Sequence, residues 1–468
     1  MRGFLLFLGA TMSGTQGTPE SATSTTAAPR KVLSVFDAVM IITGIVIGGG
    51  IFSFPPLVAG MTGSVEWMFG AWIFGAVLAL VGALCYAELA TTFPNAGGDY
   101  HFLTRAYGRD VSFFFAWARV TVITTGAIAL LAFIFGDYMS RVLSLGENSS
   151  VIYAVLIVIG LTAVNIVGLR ASAKTQNVMS VLEVLGLLFV VVAGFVAPAA
   201  TGAAPVAPTG DGIPALFGTA LLFVLFTYGG WNDAAYISAE VKGGSRAIVK
   251  VLVISLLLIT VVYLLFVASL LAGLGFDGLK ASKQVAADVA QKAFGSFGEK
   301  LIGAIVALAA LTSINATMLV AARVNYSLGQ DWPIFRFMGG WNARRDTPIV
   351  ALVTTSVITL LIVLVAAVNE GGVKFMVDFT APVFWLFILL TGLGLFVLRF
   401  RYPHVARPFK VPLYPILPIV FVCTCLFLLY RSLVFTLENQ AIQVAIYVML
   451  AGFVVWIAAR LKKPAEGV

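Results

Sequence analysis

GIVIGGGIFSFPP, residues 44–56, sets three consecutive glycines and two consecutive prolines inside an apolar run long enough to cross a bilayer. Glycine weakens a helix interior through backbone entropy, and proline through its missing N–H and its ring. Broken main chain at membrane depth is tolerated only where it lines a cavity or is buried in protein. The stretch therefore predicts a helix interrupted for a purpose. FTYGGWNDAAY, residues 226–236, repeats the pattern with Gly229 and Gly230 at its centre.

The number of spans between these interruptions gives them meaning. About 20 apolar residues cross a bilayer as a helix. That ruler predicts twelve spans, near 37–60, 67–92, 111–142, 150–169, 175–197, 214–240, 247–274, 299–327, 348–368, 373–398, 412–435 and 440–460. The breaks fall in spans 1 and 6, five apart. An odd number of helices per unit forces the second unit to run the opposite way through the membrane. This is the inverted-repeat pattern of secondary transporters, in which discontinuous helices form a midplane substrate site. The other reading of such glycines is close helix packing, common for small residues in membranes.

Composition agrees. Of 468 residues, 60% are hydrophobic and 11% charged, too little charge to cover a soluble domain. The formal charge of +8 is distributed by loop rather than gathered into a patch with interleaved aromatics, so no nucleic-acid partner is expected. Loops on the side of the termini carry Arg30, Lys31, Arg105, Arg109, Arg170, Lys174, Lys242, Arg246, Lys250, Arg336, Arg344, Arg345 and further basic residues from Arg399 to Lys463. The opposite loops are poorer in them. Both termini are predicted cytoplasmic, in a multi-pass protein of the plasma membrane with the lipid bilayer as its surroundings.

Catalytic and metal chemistry find no residues. Cys85, Cys423 and Cys425 fall within spans, and the two histidines, His101 and His404, lie in loops, where they read as solvated. Phosphate loops and nucleophile elbows are absent. No enzyme activity, cofactor or metal is expected. A channel would more naturally be an oligomer built around a repeated pore helix.

The breaks themselves suggest the ligand. The half-helix restarting after GGG would present free N–H groups and a positive dipole end to a carboxylate, with Ser53 as its cap and Pro55 and Pro56 in its first turn. Carbonyls freed at the ends of the preceding half-helices would suit an ammonium. A zwitterion with adjacent carboxylate and amine matches both.

At the level of motif the chain resembles the amino acid–polyamine–organocation (APC) superfamily, and within it the L-amino acid transporter branch. GIVIGGGIFSFPP resembles that branch's first-helix signature, with Gly49 where serine is usual, and FTYGGWN (226–232) its sixth-helix motif. YAELATTFPNAGGDYHFLTRAYG (86–108), SINATMLVAARVNYSLGQD (313–331) and RPFKVPLYPILP (407–418) resemble further family stretches. The resemblance implies an all-α integral membrane fold of twelve transmembrane helices: a five-plus-five inverted repeat (LeuT-like) with discontinuous helices 1 and 6, and two peripheral C-terminal helices. Its divisions would be a disordered cytoplasmic tail at 1–33, a transport core at 34–398 (repeats 34–197 and 214–398), helices 11 and 12 at 399–460, and a tail at 461–468. Residues 1–14, MRGFLLFLGATMSG, only faintly resemble a signal peptide and are read with the tail.

The resemblance also implies a site. The substrate carboxylate would meet N–H groups at Gly48, Gly49 and Gly50. The amine would meet carbonyls near Ile45, Val46, Phe226, Thr227 and Gly229, with Gly230 in the same break. Phe226 would be an aromatic gate, and Thr125, Gly126, Trp231, Asn232 and Thr380 would read the side chain. Asn232 and Asp233 are equally suited to cap the second half of span 6. The light chains of this branch in animals join a heavy glycoprotein through a cysteine between spans 3 and 4. Here that loop, LSLGENSSV (143–151), has none, so no disulfide-linked heavy chain is expected.

Glu183 departs from the branch, where many members carry a lysine whose ammonium stands in for a sodium ion between spans 1 and 8. Arg119 offers a partner, because each lies nine positions into its span, a depth of about 13 Å. A structural Arg119–Glu183 ion pair is one expectation. The other is that Glu183 takes a coupling proton, or helps bind a cation such as sodium with Ser313 and the span 1 carbonyls. Glu88 and Glu240, near the cytoplasmic ends of spans 2 and 6, are expected to form structural pairs with Arg105, Lys242 and Arg246. Taken together, the sequence predicts a secondary transporter of amino acids. A polyamine or other organic-cation carrier, which Asp233 and Glu183 would favour, is the alternative.

Overall fold

The computed structural model describes residues 33–461 apart from 96, 168–172, 199–213, 234, 236–240, 343–344, 346, 370–371 and 437–439. The two tails and the side chains of Lys174 and Glu240 lie outside the described residues.

Helix starts follow local chemistry. Ser34 Oγ accepts the Asp37 N–H at 3.1 Å while the Asp37 carboxylate accepts the Ser34 N–H at 3.0 Å. This reciprocal cap opens the helix Val35–Val46. After the interruption come a short turn, Gly50–Ser53, and a helix, Pro55–Thr62, with prolines in its first two positions. Ser53 ends the turn rather than capping the restart. Ser64 then caps Val65–Thr92.

Among the described residues ten helices are long and apolar enough to cross a membrane. Expected span 5 is Ala173–Val196, of which Ser180–Val196 is apolar. Expected span 6 is interrupted: Phe217–Thr227 gives way to Gly230 and the 3-10 turn Trp231–Asp233. Tyr402–Pro415 is non-helical, as its prolines require. The stretch from Val285 forms a helix running to a kink at Gly295, with Val285 and Val289 wholly buried. Arg141, at the end of the third span, ties it down through Gln284, Asp288 and Glu299.

The helices sort into two groups by what they touch. Val35–Val46, Val65–Thr92, Phe217–Thr227 and Gly244–Ala281 pack on one another. Thr124–Val142, Ser149–Val167, Val285–Asp331 and Ile349–Val368 form the second group. Ala173–Val196 contacts members of both. Gly372–Arg401 and the two C-terminal helices, Ile416–Thr436 and Gln440–Leu461, lie alongside, the last two largely exposed.

One buried carboxylate fixes the far end of this arrangement. Glu88, 1% exposed, accepts from Arg399 Nε at 2.7 Å and from the Val411 N–H at 2.7 Å, with Arg407 Nε 3.5 Å away. These partners replace the expected ones, because the proline-rich segment folds back over the end of Val65–Thr92. Arg105 instead donates to His101 Nε2 at 2.9 Å. His101 is half-buried, and partial burial, then the Arg105 charge, hold its imidazole below its ordinary range. Removing one member of a buried pair leaves the others uncompensated. Glu88→Ala is expected to destabilise the protein by about 3 kcal/mol. Glu88→Gln, whose amide oxygen still accepts, should cost less. The check is the fraction of each variant that stays monodisperse in detergent after a graded heat step.

Candidate functional site

Both interruptions come from main chain that stops satisfying itself. The Gly48 N–H turns back to Val46 O at 2.7 Å instead of continuing the helix, and the Gly229 N–H turns to Phe226 O at 3.1 Å. Among the described residues the Gly49 and Gly50 N–H groups donate to no protein acceptor. Those are the orphan donors of a helix start.

The two breaks touch. A Cβ on Gly230 would lie 2.9 Å from the Ile45 side chain and 3.5 Å from Ile45 O, and one on Gly50 would lie 3.4 Å from Thr227 Cα. Gly230 also has φ +108°, which L side chains rarely adopt, so only glycine fits between the breaks. The Tyr263 hydroxyl lies 2.9 Å from Val46 O and 3.3 Å from Thr227 O, one proton shared between carbonyls of both broken helices. Its ring is buried against Trp72 and Tyr228.

A cavity of about 200 Å³ opens between the breaks and the second helix group. Ile45, Val46, Gly48, Gly49, Gly50, Phe226, Thr227, Gly229, Gly230, Asn232 and Thr380 line it, with Arg119, Asp233 and Ser313. Phe226 faces Phe384 across 5.9 Å in edge-to-face contact. Ser313 Oγ donates to Gly44 O at 3.5 Å.

Four expected residues lie elsewhere. Trp231 packs edge-on against Tyr86 at 5.1 Å and beside Phe421, away from the cavity. Gly126 abuts Thr380, where a Cβ would sit 2.3 Å from its Oγ1, and Thr125 is wholly buried outside the lining. The cause is the π-helical turn Arg119–Ile123, which adds a residue to one turn and rotates everything after it. Thr124 and Ala127 consequently face the cavity, beside Ile123, Leu130 and Leu131. No residue pattern in 119–123 announces that turn.

Glu183 is the fourth, and its pairing with Arg119 is not formed. Arg119 Nη2 lies 3.7 Å from Asp233 Oδ1. Equal depth does not make neighbours: the helix of Glu183 packs on Val35–Val46, Gly244–Ala281 and Val285–Asp331, whereas Arg119 faces the turn after the second break. Gly48, for its part, has no N–H to offer a ligand beyond its bond to Val46. Gly49 also does packing work, since a Cβ there would lie 3.0 Å from Ile134 Cγ2.

Comparison with known proteins settles the family. Residues 33–458 match the amino acid permease family. The chain belongs to it. The permease is 27% identical over 419 residues to the b(0,+)-type amino acid transporter 1 of Mus musculus, covering 86% of this chain and 83% of that one. It is 27% identical over 411 residues to the human cystine/glutamate transporter, covering 86% and 80%. It is 24% identical over 446 residues to the serine/threonine exchanger SteT of Bacillus subtilis (strain 168), covering 93% and 98%. An APC-superfamily permease resembling the L-amino acid transporters is thereby shown, and it is a transporter rather than an enzyme.

The shared hydroxyl gives this permease a measurable weak point. Tyr263→Phe keeps the ring but removes the donor to two buried carbonyls. The expected cost is about 1–3 kcal/mol of stability. Tyr228→Phe is the control: the Tyr228 hydroxyl has no hydrogen-bond partner among the described residues, so this change should be close to neutral. Thermal unfolding of the two variants side by side in detergent decides it.

Proposed function

We propose that this permease is a secondary active transporter that carries one amino acid at a time across the plasma membrane by alternating access. A single observation carries the reading: two broken helices face one cavity, one with N–H groups unspent at Gly49 and Gly50, the other with carbonyls at its end. N–H groups at a helix start suit a carboxylate. Ile45 O, the second lone pair of Thr227 O, and Gly229 O would receive the ammonium, Val46 O being already engaged by the Gly48 N–H and the Tyr263 hydroxyl. Thr380, Asn232 and Thr124 supply the polar contacts to the rest of the substrate.

The side-chain end of the cavity is mostly apolar, with Ile123, Ala127, Leu130, Leu131, Ala316 and Val320. Its two charged residues, Arg119 and Asp233, face each other and offset one another. A substrate with an uncharged side chain fits this balance best. Exchange of one amino acid for another agrees with the exchanger activity for which the Bacillus relative is named.

The two helix groups are read as the moving parts of the five-plus-five inverted repeat, with twelve spans and both termini cytoplasmic by the positive-inside distribution. The cysteine-free 143–151 loop favours a carrier that works without a disulfide-linked partner.

Recognition of both substrate ends by main chain makes a direct prediction. In liposomes containing the purified permease, an amino acid that exchanges should lose affinity when its carboxylate is esterified or its amine acetylated. The expected loss is about 5- to 150-fold for either change, the equivalent of about 1–3 kcal/mol for an unpaired buried group. Competition against a radiolabelled amino acid panel measures it. Decarboxylated amines that compete as well as their parents would instead establish the organic-cation reading.

A further inference from the structure

Glu183 is 3% exposed, and neither of its carboxyl oxygens has a hydrogen-bond partner among the described residues. One turn earlier on the same helix, Ser180 Oγ is likewise buried and unbonded. Both side chains press on one point of the first broken helix. A Cβ on Gly44 would lie 2.3 Å from Ser180 Oγ and 3.4 Å from Glu183 Oε2. Gly44 is the residue before Ile45, whose carbonyl lines the break, and its own carbonyl accepts from Ser313.

On its other side Glu183 lines a second, apolar cavity of about 160 Å³, formed with Leu182, Leu185, Phe189, Ile305 and Leu308. Leu182, Leu185 and Leu308 are exposed on the outer surface of the helices, so this cavity faces lipid. The carboxyl is thus held between hydrocarbon and main chain.

The three helices packed on Ala173–Val196 offer it no counter-charge. Val35–Val46 carries only Asp37, engaged in the cap at its first turn. Gly244–Ala281 brings Tyr263, whose hydroxyl is given to Val46 and Thr227, with Arg246, Lys250, Asp277 and Lys280 near its ends. Val285–Asp331 has Asp288, Lys292, Glu299, Lys300, Arg323 and Asp331 toward its ends, and the hydroxyls of Thr312 and Ser313 between. None of these forms an ion pair with Glu183. An ionised carboxylate here would carry an uncompensated charge in a medium that cannot solvate it, whereas a carboxylic acid would not.

We propose that Glu183 is a proton-binding site that couples transport to a proton gradient. The residue holds its proton while Gly44 is packed against it, as in this conformation. It gives the proton up to water when the first broken helix moves and the carboxyl becomes wetted. Because Ile45 and Val46 line the substrate cavity directly after Gly44, whatever shifts the first helix changes the surroundings of Glu183 at the same time. Ala173–Val196 touches both helix groups, so the carboxyl lies where those groups would slide. The inference rests on the transport reading given above, and its test separates the two.

Purified permease is reconstituted into liposomes, and amino acid exchange is measured beside accumulation driven by an inward proton gradient. The wild type is expected to do both. Glu183→Gln, which mimics the neutral acid, is expected to fold, to keep exchange, and to lose gradient-driven accumulation. Gradient-driven accumulation by Glu183→Gln at the wild-type level overturns the proposal. So does a wild type that exchanges but ignores the proton gradient, or that accumulates only under a sodium gradient.

Should the wild type transport no amino acid, the transport reading fails, and the carboxyl is judged by chemistry alone. Dicyclohexylcarbodiimide, an apolar reagent that attacks protonated carboxyls, is expected to modify Glu183 from the lipid side, with the adduct located by mass spectrometry and its yield falling as the medium is made alkaline. A Glu183 that stays unmodified at acidic pH, or that is modified equally at all pH, overturns the proton site whatever the transport result.

Discussion

The Tyr263 hydroxyl holds together a structure that would otherwise be untenable. Two helices stop partway through the apolar layer, and each stop leaves main-chain groups that hydrocarbon cannot satisfy. Tyr263 gives one proton to the carbonyls of Val46 and Thr227, and the Gly48 and Gly229 N–H groups fold back on their own turns. Ser313 reaches Gly44 O from the second helix group. What these bonds leave over is confined to the faces of the cavity. The groups that fold the break and those available to a ligand are drawn from the same few residues, which makes the site and the fold inseparable here.

Two clusters of charged ties fasten elements away from the cavity. At one end Glu88 gathers Arg399, Arg407 and the Val411 N–H, fastening the proline-rich segment to Val65–Thr92. At the other, Arg141 joins the third span to the Val285 helix through Gln284, Asp288 and Glu299. Between the two groups, at the level of the cavity, contacts are mainly small or apolar: Gly49 against Ile134, and the lining alanines and leucines. Apolar surfaces of this kind can slide at little cost, and few polar contacts, such as Ser313 to Gly44 O, cross between the groups there. On the alternating-access proposal, a carrier needs that property at its middle.

Much of this was legible in the residues, and the reasons for the exceptions are physical. GGG and PP, repeated as GG five spans on, are main-chain signals, and a main-chain feature is what they predict. Side-chain direction is another matter. Depth and motif position put Thr125 and Gly126 at the ligand, but one π-helical turn at Arg119–Ile123 rotates the helix so that Thr124 and Ala127 face it instead. Arg119 and Glu183 were matched by depth too, and depth says nothing about azimuth or about which helices adjoin. Trp231, beside a glycine break, faces Tyr86 because the 3-10 turn there changes the rotation per residue.

The two ionisable features of the membrane interior behave differently because only one of them is compensated. Arg119 comes from the π-helical turn of the third span and Asp233 from the turn after the second break, and both face the cavity. Their charges offset each other, so both can stay ionised wherever they remain close, and part of their exposure is to a polar cavity. Among the described residues Glu183 has neither a cation nor a polar cavity beside it. Its charge can change only with a proton, and its surroundings change when the first helix moves off it. An uncompensated carboxyl against a bare glycine would be a defect in a rigid protein. Placed, as proposed, beside a broken helix that moves, it would be a group whose protonation reports the position of that helix.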